Sequence, residues 1–333
     1  MDFFLLKKII EQEPLYRLKQ AKKAVFQDLI EEWSEATILP LTLRQTLEEK
    51  CSLKVRAKAF FSQDKATVKA LIILKDGLKI ESVLMKHKDN RQTLCVSSQV
   101  GCPLACRFCA TGKMGFKRNL EVGEIIDQIL FFSRELKKEG KKITNIVFMG
   151  MGEPFLNYDN VLEAIRILND NEGFNLGARH FSISTVGLPK EIERLAEEKL
   201  QINLAISLHA ANDELRNKII PVNRQYPLRE VFRAVDNYIK KTKRRVMFEY
   251  LMIEGVNDSE ESAAELVNLL KKRPLYFVNL ISYNPTGEFI PSSSSIIKKF
   301  KEILEKEGIA VTERYRFGRK IKAACGQLAA GEK

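Results

Sequence analysis

The chain has 333 residues, 45% of them apolar and 29% charged, enough to bury a sizeable core in one large domain with an appendage, which excludes a largely disordered protein. No stretch reaches about 18 uncharged apolar residues, so a membrane-spanning helix is excluded too, and the short apolar run in MDFFLLKKII is broken by Lys7 and Lys8 without a small-residue cleavage site. Lysine and arginine number 55 against 43 aspartates and glutamates, a formal charge of +12 that attracts polyanions, nucleic acid above all; the plainer reading is solvated lysine on helix faces.

Residues 4 to 51 read mostly as helix, with apolar residues at gaps of three and four and a break near Leu39-Pro40. From Leu53 to Met85 the period changes to two: LKVRAKAFFS, TVKALIILKD and LKIESVLMK alternate apolar with polar residues around the turns SQDK and KDGL, as a strand meander does. From Thr93 short apolar strands alternate with amphipathic helices. Strands are expected at TLCVSS, TNIVFMG, HFSIST, INLAISL, VMFEYLMI and YFVNLIS, with helices near 121–138, 159–169, 189–198, 228–241, 258–272 and 294–308. Six such repeats imply an α/β fold with a parallel sheet and right-handed crossovers, a partial barrel or an open sheet, whose ligands gather at the carboxyl ends of the strands. The expected units are an N-terminal helical module (1–52), a β meander (53–87), a strand-helix core (88–320) and a C-terminal segment (321–333). No repeat of 20 to 50 residues marks a solenoid or propeller.

Six cysteines in a long chain, three of them clustered, read as reduced thiols engaged in metal or redox chemistry, and the protein is expected in the cytoplasm with no membrane partner. Cys102, Cys106 and Cys109 in VGCPLACRFCATG fall immediately after the first repeat strand, at the end where ligands bind. Structural zinc needs four ligands, and there is no second cysteine pair, while His87, His180 and His209 are scattered singly. A [4Fe–4S] cluster held by three thiolates leaves one iron open for a substrate or cofactor. Farther along, MGMGEP offers Gly152 and Glu153: glycine lets backbone approach a ligand closely, and the carboxylate can meet an ammonium group. Ser184 in SISTVG, Ser207, Leu208 and His209 in ISLHA and Asn284 in SYNPTG stand at later strand ends, where they could grip ribose or carboxylate groups or simply cap the next helix.

The CxxxCxxC spacing with Phe108 before its last cysteine resembles the radical S-adenosylmethionine (SAM) enzymes, in which the open iron takes the amino and carboxylate groups of SAM. In order along the chain, TLCVSSQVGCPLACRFCATG, FMGMGEP, SISTVG, SLHA, YNP and AACGQL resemble the RlmN/Cfr family of radical SAM RNA methyltransferases from about residue 78 onward. The resemblance implies a radical SAM partial (β/α)6 barrel, a cluster on Cys102, Cys106 and Cys109, and methylation of an adenosine of 23S rRNA before the ribosome is fully assembled, with the adenosine following the anticodon of certain tRNAs as a second target. It implies that Cys325 takes a methyl group from one SAM, that a second SAM yields a deoxyadenosyl radical that activates this S-methyl group, and that the carbon then joins the adenine. Cys95 attacks Cys325 to free the product and leaves a disulfide to be reduced, while Glu81 accepts the ring proton. A flavodoxin or ferredoxin would supply electrons to a monomeric enzyme. Val100, where Cfr proteins place a cysteine, leans toward C2 over C8 of the adenine. Cys51 reads as a buried small hydrophobe.

The basic clusters KHKDNR (86–91), KMGFKR (113–118) and RYRFGRK (314–320) flank the presumed active-site segments and are expected to track RNA phosphates, whereas KTKRR (241–245) is expected to be a solvated loop at the opposite end of the sheet. A non-catalytic, metal-stabilised RNA-binding protein and a radical enzyme acting on a peptide or small molecule are the competing readings.

Overall fold

The computed structural model describes residues 1–314, Gly318 and residues 321–330. Helices Phe3–Ile10, Tyr16–Phe26 and Leu41–Lys50 open the chain, the last starting directly after Pro40, where the lost N–H costs nothing. Trp33 is fully buried among them and its Nε1–H donates to the Cys51 carbonyl at 2.8 Å; Cys51 itself is buried.

Twelve strands follow: β1 Arg56–Phe61, β2 Thr67–Ile73, β3 Lys79–Lys86, β4 Gln92–Val96, β5 Gln99–Gly101, β6 Phe116–Asn119, β7 Asn145–Phe148, β8 Phe181–Thr185, β9 Asn203–Ser207, β10 Val246–Met252, β11 Tyr276–Ser282 and β12 Ala310–Glu313. Ten of them form one sheet in the order β1-β2-β3-β4-β7-β8-β9-β10-β11-β12, and β5 and β6 pair by themselves. The first four are antiparallel neighbours, and from β4 onward every neighbour is parallel. Helices Val122–Lys137, Tyr158–Asn169, Pro189–Glu197, Leu228–Thr242, Glu260–Leu270 and Ser294–Lys306 make the crossovers, each within two residues of its expected bounds. Their apolar stripes explain the agreement; the first buries Ile125, Ile126, Ile129 and Phe132, and Glu121 and Glu124 close a capping box at its start.

The sheet is open, with β1 and β12 as its edges. It is also strongly curled. Met149 just after β7 and Arg314 just after β12 lie five strands apart, roughly 24 Å in a flat sheet, yet Arg314 Nη2 lies 3.4 Å from Met149 Sδ. The fold is therefore the expected partial barrel, with a seventh parallel strand, β12, that sequence periodicity did not reveal: four residues of AVTE, mostly exposed, carry no alternation. The β5–β6 hairpin and helix Asp213–Ile219 were likewise unforeseen. The meander continues the core sheet directly, Val83 of β3 pairing with Cys95 of β4. Among the described residues no helix is long and apolar enough to cross a membrane.

Candidate active site

The cysteine loop does not follow β4 directly, as expected, but is the long connection of the β5–β6 hairpin. Gly101 makes this possible: its φ is +76°, and a Cβ there would sit 1.8 Å from the Gly115 carbonyl oxygen. Within the loop, Cys102 N–H donates to that same carbonyl at 3.0 Å and Cys109 N–H donates to Cys106 O at 3.1 Å. All three thiols line one cavity, which Glu153, Ser184, Ser207, His209 and Cys325 close from other strand ends. Burial pushes the Cys102 thiol up to about 12 and raises Cys106 well above its ordinary value. Thiols so desolvated ionise readily only beside a cation, as thiolate ligands of a metal group are. Among the described residues no three His, Cys, Asp or Glu side chains form a set able to hold a single metal ion. The three cysteines instead line one cavity, a donor set of soft thiolates that fits a many-atom [4Fe–4S] cluster, which they would hold.

Glu153 faces the cysteines. Its carboxylate accepts the N–H groups of Phe155 (3.1 Å) and Val186 (3.0 Å), while burial pushes it up to about 7. The glycines of MGMGEP pack closely against protein: a Cβ on Gly152, at φ +99°, would lie 2.5 Å from the Gln99 side chain. Ser184 Oγ donates to Glu249 Oε2 at 2.6 Å and lies 3.1 Å from Ser207 Oγ. His209 is buried, packs edge-on to Phe108 with centroids 4.8 Å apart, and accepts the Leu251 N–H on Nδ1 at 3.1 Å. That bond leaves any proton of the neutral ring on Nε2, and burial with the nearby Arg216 guanidinium lowers the imidazole to about 3. Leu208 contributes only backbone to this region: its side chain is fully buried, and its carbonyl accepts Arg216 Nε at 3.0 Å.

A second cavity adjoins the first. Cys95, Asn284 and Arg314 line it, and Cys325, Met149 and Ile281 line both, so Cys325 stands in the partition. Both Cys95 and Cys325 are free thiols. The exposed surface of Cys325 opens on these cavities, and the surrounding protein still pushes its thiol up to about 11; Cys95, buried, reaches about 12. Asn284 Nδ2 donates to the Cys325 carbonyl at 3.2 Å. Glu81 lines neither cavity. It does not face water, as an acid in an alternating strand ordinarily would, but is buried, with Lys69 Nζ 2.7 Å from Oε1 and Ala329 N–H donating to Oε2 at 2.9 Å. It shares the face of β3 that carries Val83, opposite Cys95.

Two residues of this region, Glu249 and Arg216, escaped sequence reading, and a third, Arg314, takes a place other than the one expected for it. Glu249 is a buried carboxylate whose Oε1 lies 3.1 Å from Arg314 Nη1, and Arg216, 1% exposed, spends its guanidinium on carbonyls of Leu208, Val186 and Ser207. A lone acid inside the apolar run VMFEYLMI was the available signal for Glu249; nothing local marked Arg216, and Arg314 was read only as part of the basic cluster RYRFGRK. The basic clusters also sort differently than expected. KHKDNR lies between β3 and β4, at the amino end of the parallel strands and away from the cysteines. In KMGFKR, beside Cys102, Arg118 is engaged by Glu124 and Asp76. Arg314 points inward to Glu249, and residues 315–317 and 319–320 of RYRFGRK lie outside the described residues. In KTKRR, Lys241, Lys243 and Arg245 are exposed, and Arg244 and Arg245 line a cavity at the amino ends of the parallel strands.

Residues 96–267 match the Radical SAM superfamily. The chain is 49% identical over 320 residues to a "Probable dual-specificity RNA methyltransferase RlmN" of Dictyoglomus turgidum, covering 96% of this chain and 91% of the relative. It is 44% identical over 323 residues to a "Ribosomal RNA large subunit methyltransferase Cfr" of Clostridium botulinum, covering 95% and 92%. The crystal structure of a radical SAM methyltransferase from Sphaerobacter thermophilus superposes with a TM-score of 0.95 at 44% identity, covering 98% of this chain and 97% of that one.

Proposed function

This chain belongs to the RlmN/Cfr family of radical SAM RNA methyltransferases, which work with a [4Fe–4S] cluster and SAM, and from that premise we propose that it methylates C2 of an adenosine in 23S rRNA through a methyl group carried on Cys325. The observation that carries the reading is the place of Cys325 in the partition between the cysteine-lined cavity and the cavity of Cys95. When bound on Cys102, Cys106 and Cys109, the cluster supplies the electron that makes radical chemistry of SAM possible. Glu153, acceptor-only when ionised, would receive an ammonium group, and Ser184, Ser207 and the Nε2–H of His209 would orient hydroxyl or carboxylate groups on the opposite wall.

Cys325 Sγ is the methyl acceptor, and as a thiolate it displaces a methyl group from a sulfonium. Once that carbon is bonded to the adenine, Cys95 Sγ attacks Cys325 Sγ, the sulfur–carbon bond breaks toward the product, and the two thiols end as a disulfide to be reduced by thiol exchange. Both thiols ionise poorly in this crowded setting, so Arg314, which holds both down toward ionisation, lowers the cost of each step. Glu81 is the proposed acceptor of the ring proton, reached when the 321–330 segment releases the Ala329 contact. Val100, buried on β5 where Cfr proteins place a cysteine, favours C2. A tRNA adenosine is the proposed second substrate, and a flavodoxin or ferredoxin the proposed electron donor to a monomeric enzyme.

Nucleoside mass spectrometry of 23S RNA treated with the reconstituted protein, SAM and a reductant tests the position of the methyl group. 2-Methyladenosine is expected; 8-methyladenosine would make the protein a C8 enzyme, and unmodified RNA alongside a methylated peptide would overturn the RNA assignment.

A further inference from the structure

The amino ends of the parallel strands carry a charged surface that methyl transfer does not use. A cavity of about 520 Å³ opens there on the same face of the sheet as the catalytic cavity. Ser182, Asn203, Met247 and Phe277 line it, and each precedes a residue of the cysteine-lined cavity on its own strand, Ser184, Ser207, Glu249 and Ile281, by an even number of positions. The two sites are thus separated along the strands by roughly 7 to 13 Å of backbone.

Arg179, Arg244 and Arg245 converge on this cavity, and none of its lining residues is a carboxylate. Neutral partners fix the three guanidinium groups. Arg179 Nε donates to Gln201 Oε1 at 2.6 Å, Arg244 Nη2 donates to Asn203 Oδ1 at 2.8 Å, and Arg245 lies 4.5 Å from the centroid of the Phe277 ring. Arg244 Nε is buried without a hydrogen-bond partner. An adjoining depression shares Arg179 and Arg244 and adds Lys199 and Lys243. Nearby carboxylates are already engaged, Glu198 by Arg166, Glu197 by Lys241 and Asp236 by Arg273. Among the described residues, the three arginines, Lys199 and Lys243 therefore keep their charge without a carboxylate partner.

Held, planar, uncompensated guanidinium groups around an accessible cavity match the geometry of phosphate oxygens. We propose that this cavity is a second RNA site, gripping backbone phosphates at the end of the barrel opposite the methyl-transfer site and setting the register of the substrate without reading its bases. The inference rests on RNA being the substrate, and the wild-type arm of the test examines that premise separately.

The test uses the full chain and a fluorescent 23S RNA fragment that includes the target loop and its flanking helices, with affinity measured across KCl concentrations. Arg179 and Arg245 are exposed, so the double variant Arg179→Gln/Arg245→Gln should fold, and a matching thermal midpoint checks it. The salt slope of log K should fall by about 2, roughly 1 per arginine, while Arg179→Lys/Arg245→Lys keeps most of it. An unchanged slope in the glutamine variant would overturn the proposal. So would titration with inorganic phosphate showing wild-type-only binding while the RNA slopes coincide, since the cavity would then serve free phosphate. Failure of the wild type to bind RNA would remove the premise instead.

Discussion

Cys325 combines accessibility with resistance to ionisation, because it opens on two cavities within crowded protein. With the thiol near 11, roughly one molecule in a thousand is thiolate at pH 8, rising about tenfold per pH unit. Alkylation of Cys325 by iodoacetamide in the apoprotein, followed by peptide mass spectrometry, should accelerate about a hundredfold from pH 8 to 10; a flat profile would mean that the thiolate is already formed. Arg314→Met should slow this alkylation further and, by leaving Glu249 buried without its cation, cost about 3 kcal/mol in denaturant unfolding. Cys95→Ala removes the thiol that resolves the adduct, so RNA should remain covalently attached to protein on a denaturing gel; normal turnover would remove Cys95 from the reaction. Glu81→Gln keeps an oxygen for the Ala329 N–H but removes the proton acceptor. Cys325 methylation should persist while RNA methylation falls at least about a hundredfold, and near-normal turnover would leave Glu81 only its tie to Lys69 and Ala329.

The strands and crossover helices of the core were legible because each carries one strong pattern: VMFEYLMI is apolar except for Glu249, and Val122–Lys137 carries a continuous buried stripe. Elements held by a single steric fit were not. The β5–β6 hairpin depends on Gly101 meeting Gly115 at a distance that admits no side chain, which no local pattern announces. Gly101→Ala should therefore splay the hairpin and displace Cys102, whose N–H bonds the same carbonyl. The expected outcome is loss of most iron after anaerobic reconstitution, read by metal analysis and by absorbance near about 400 nm as thiolate-ligated clusters show. Full iron content would mean that the loop holds its shape without the hairpin.

Across the whole molecule, the order of chemical groups was readable from sequence, but their convergence was not. Cys95 and Cys325 meet because the sheet curls enough to bring Met149 and Arg314 together, a property of twist summed over many strands. The same curvature makes Glu249 and Arg314 partners, 65 residues apart. The change to a period of two marked the meander as a unit of its own, and β3 shares a ladder with β4 and supplies Val83 and Met85 to the cavity of Cys95. A fragment starting at residue 88 should thus expose the edge of β4 and aggregate, as light scattering would show; a soluble fragment with native circular dichroism would contradict the single-sheet architecture. Central to everything is the thiol in the partition, and the most direct measurement is methylated adenosine formed on 23S RNA by Cys325→Ala beside the wild type. The variant should fold, bind its cluster and yield no methylated adenosine, whereas any wild-type-like yield would show that the methyl group reaches RNA without passing through Cys325.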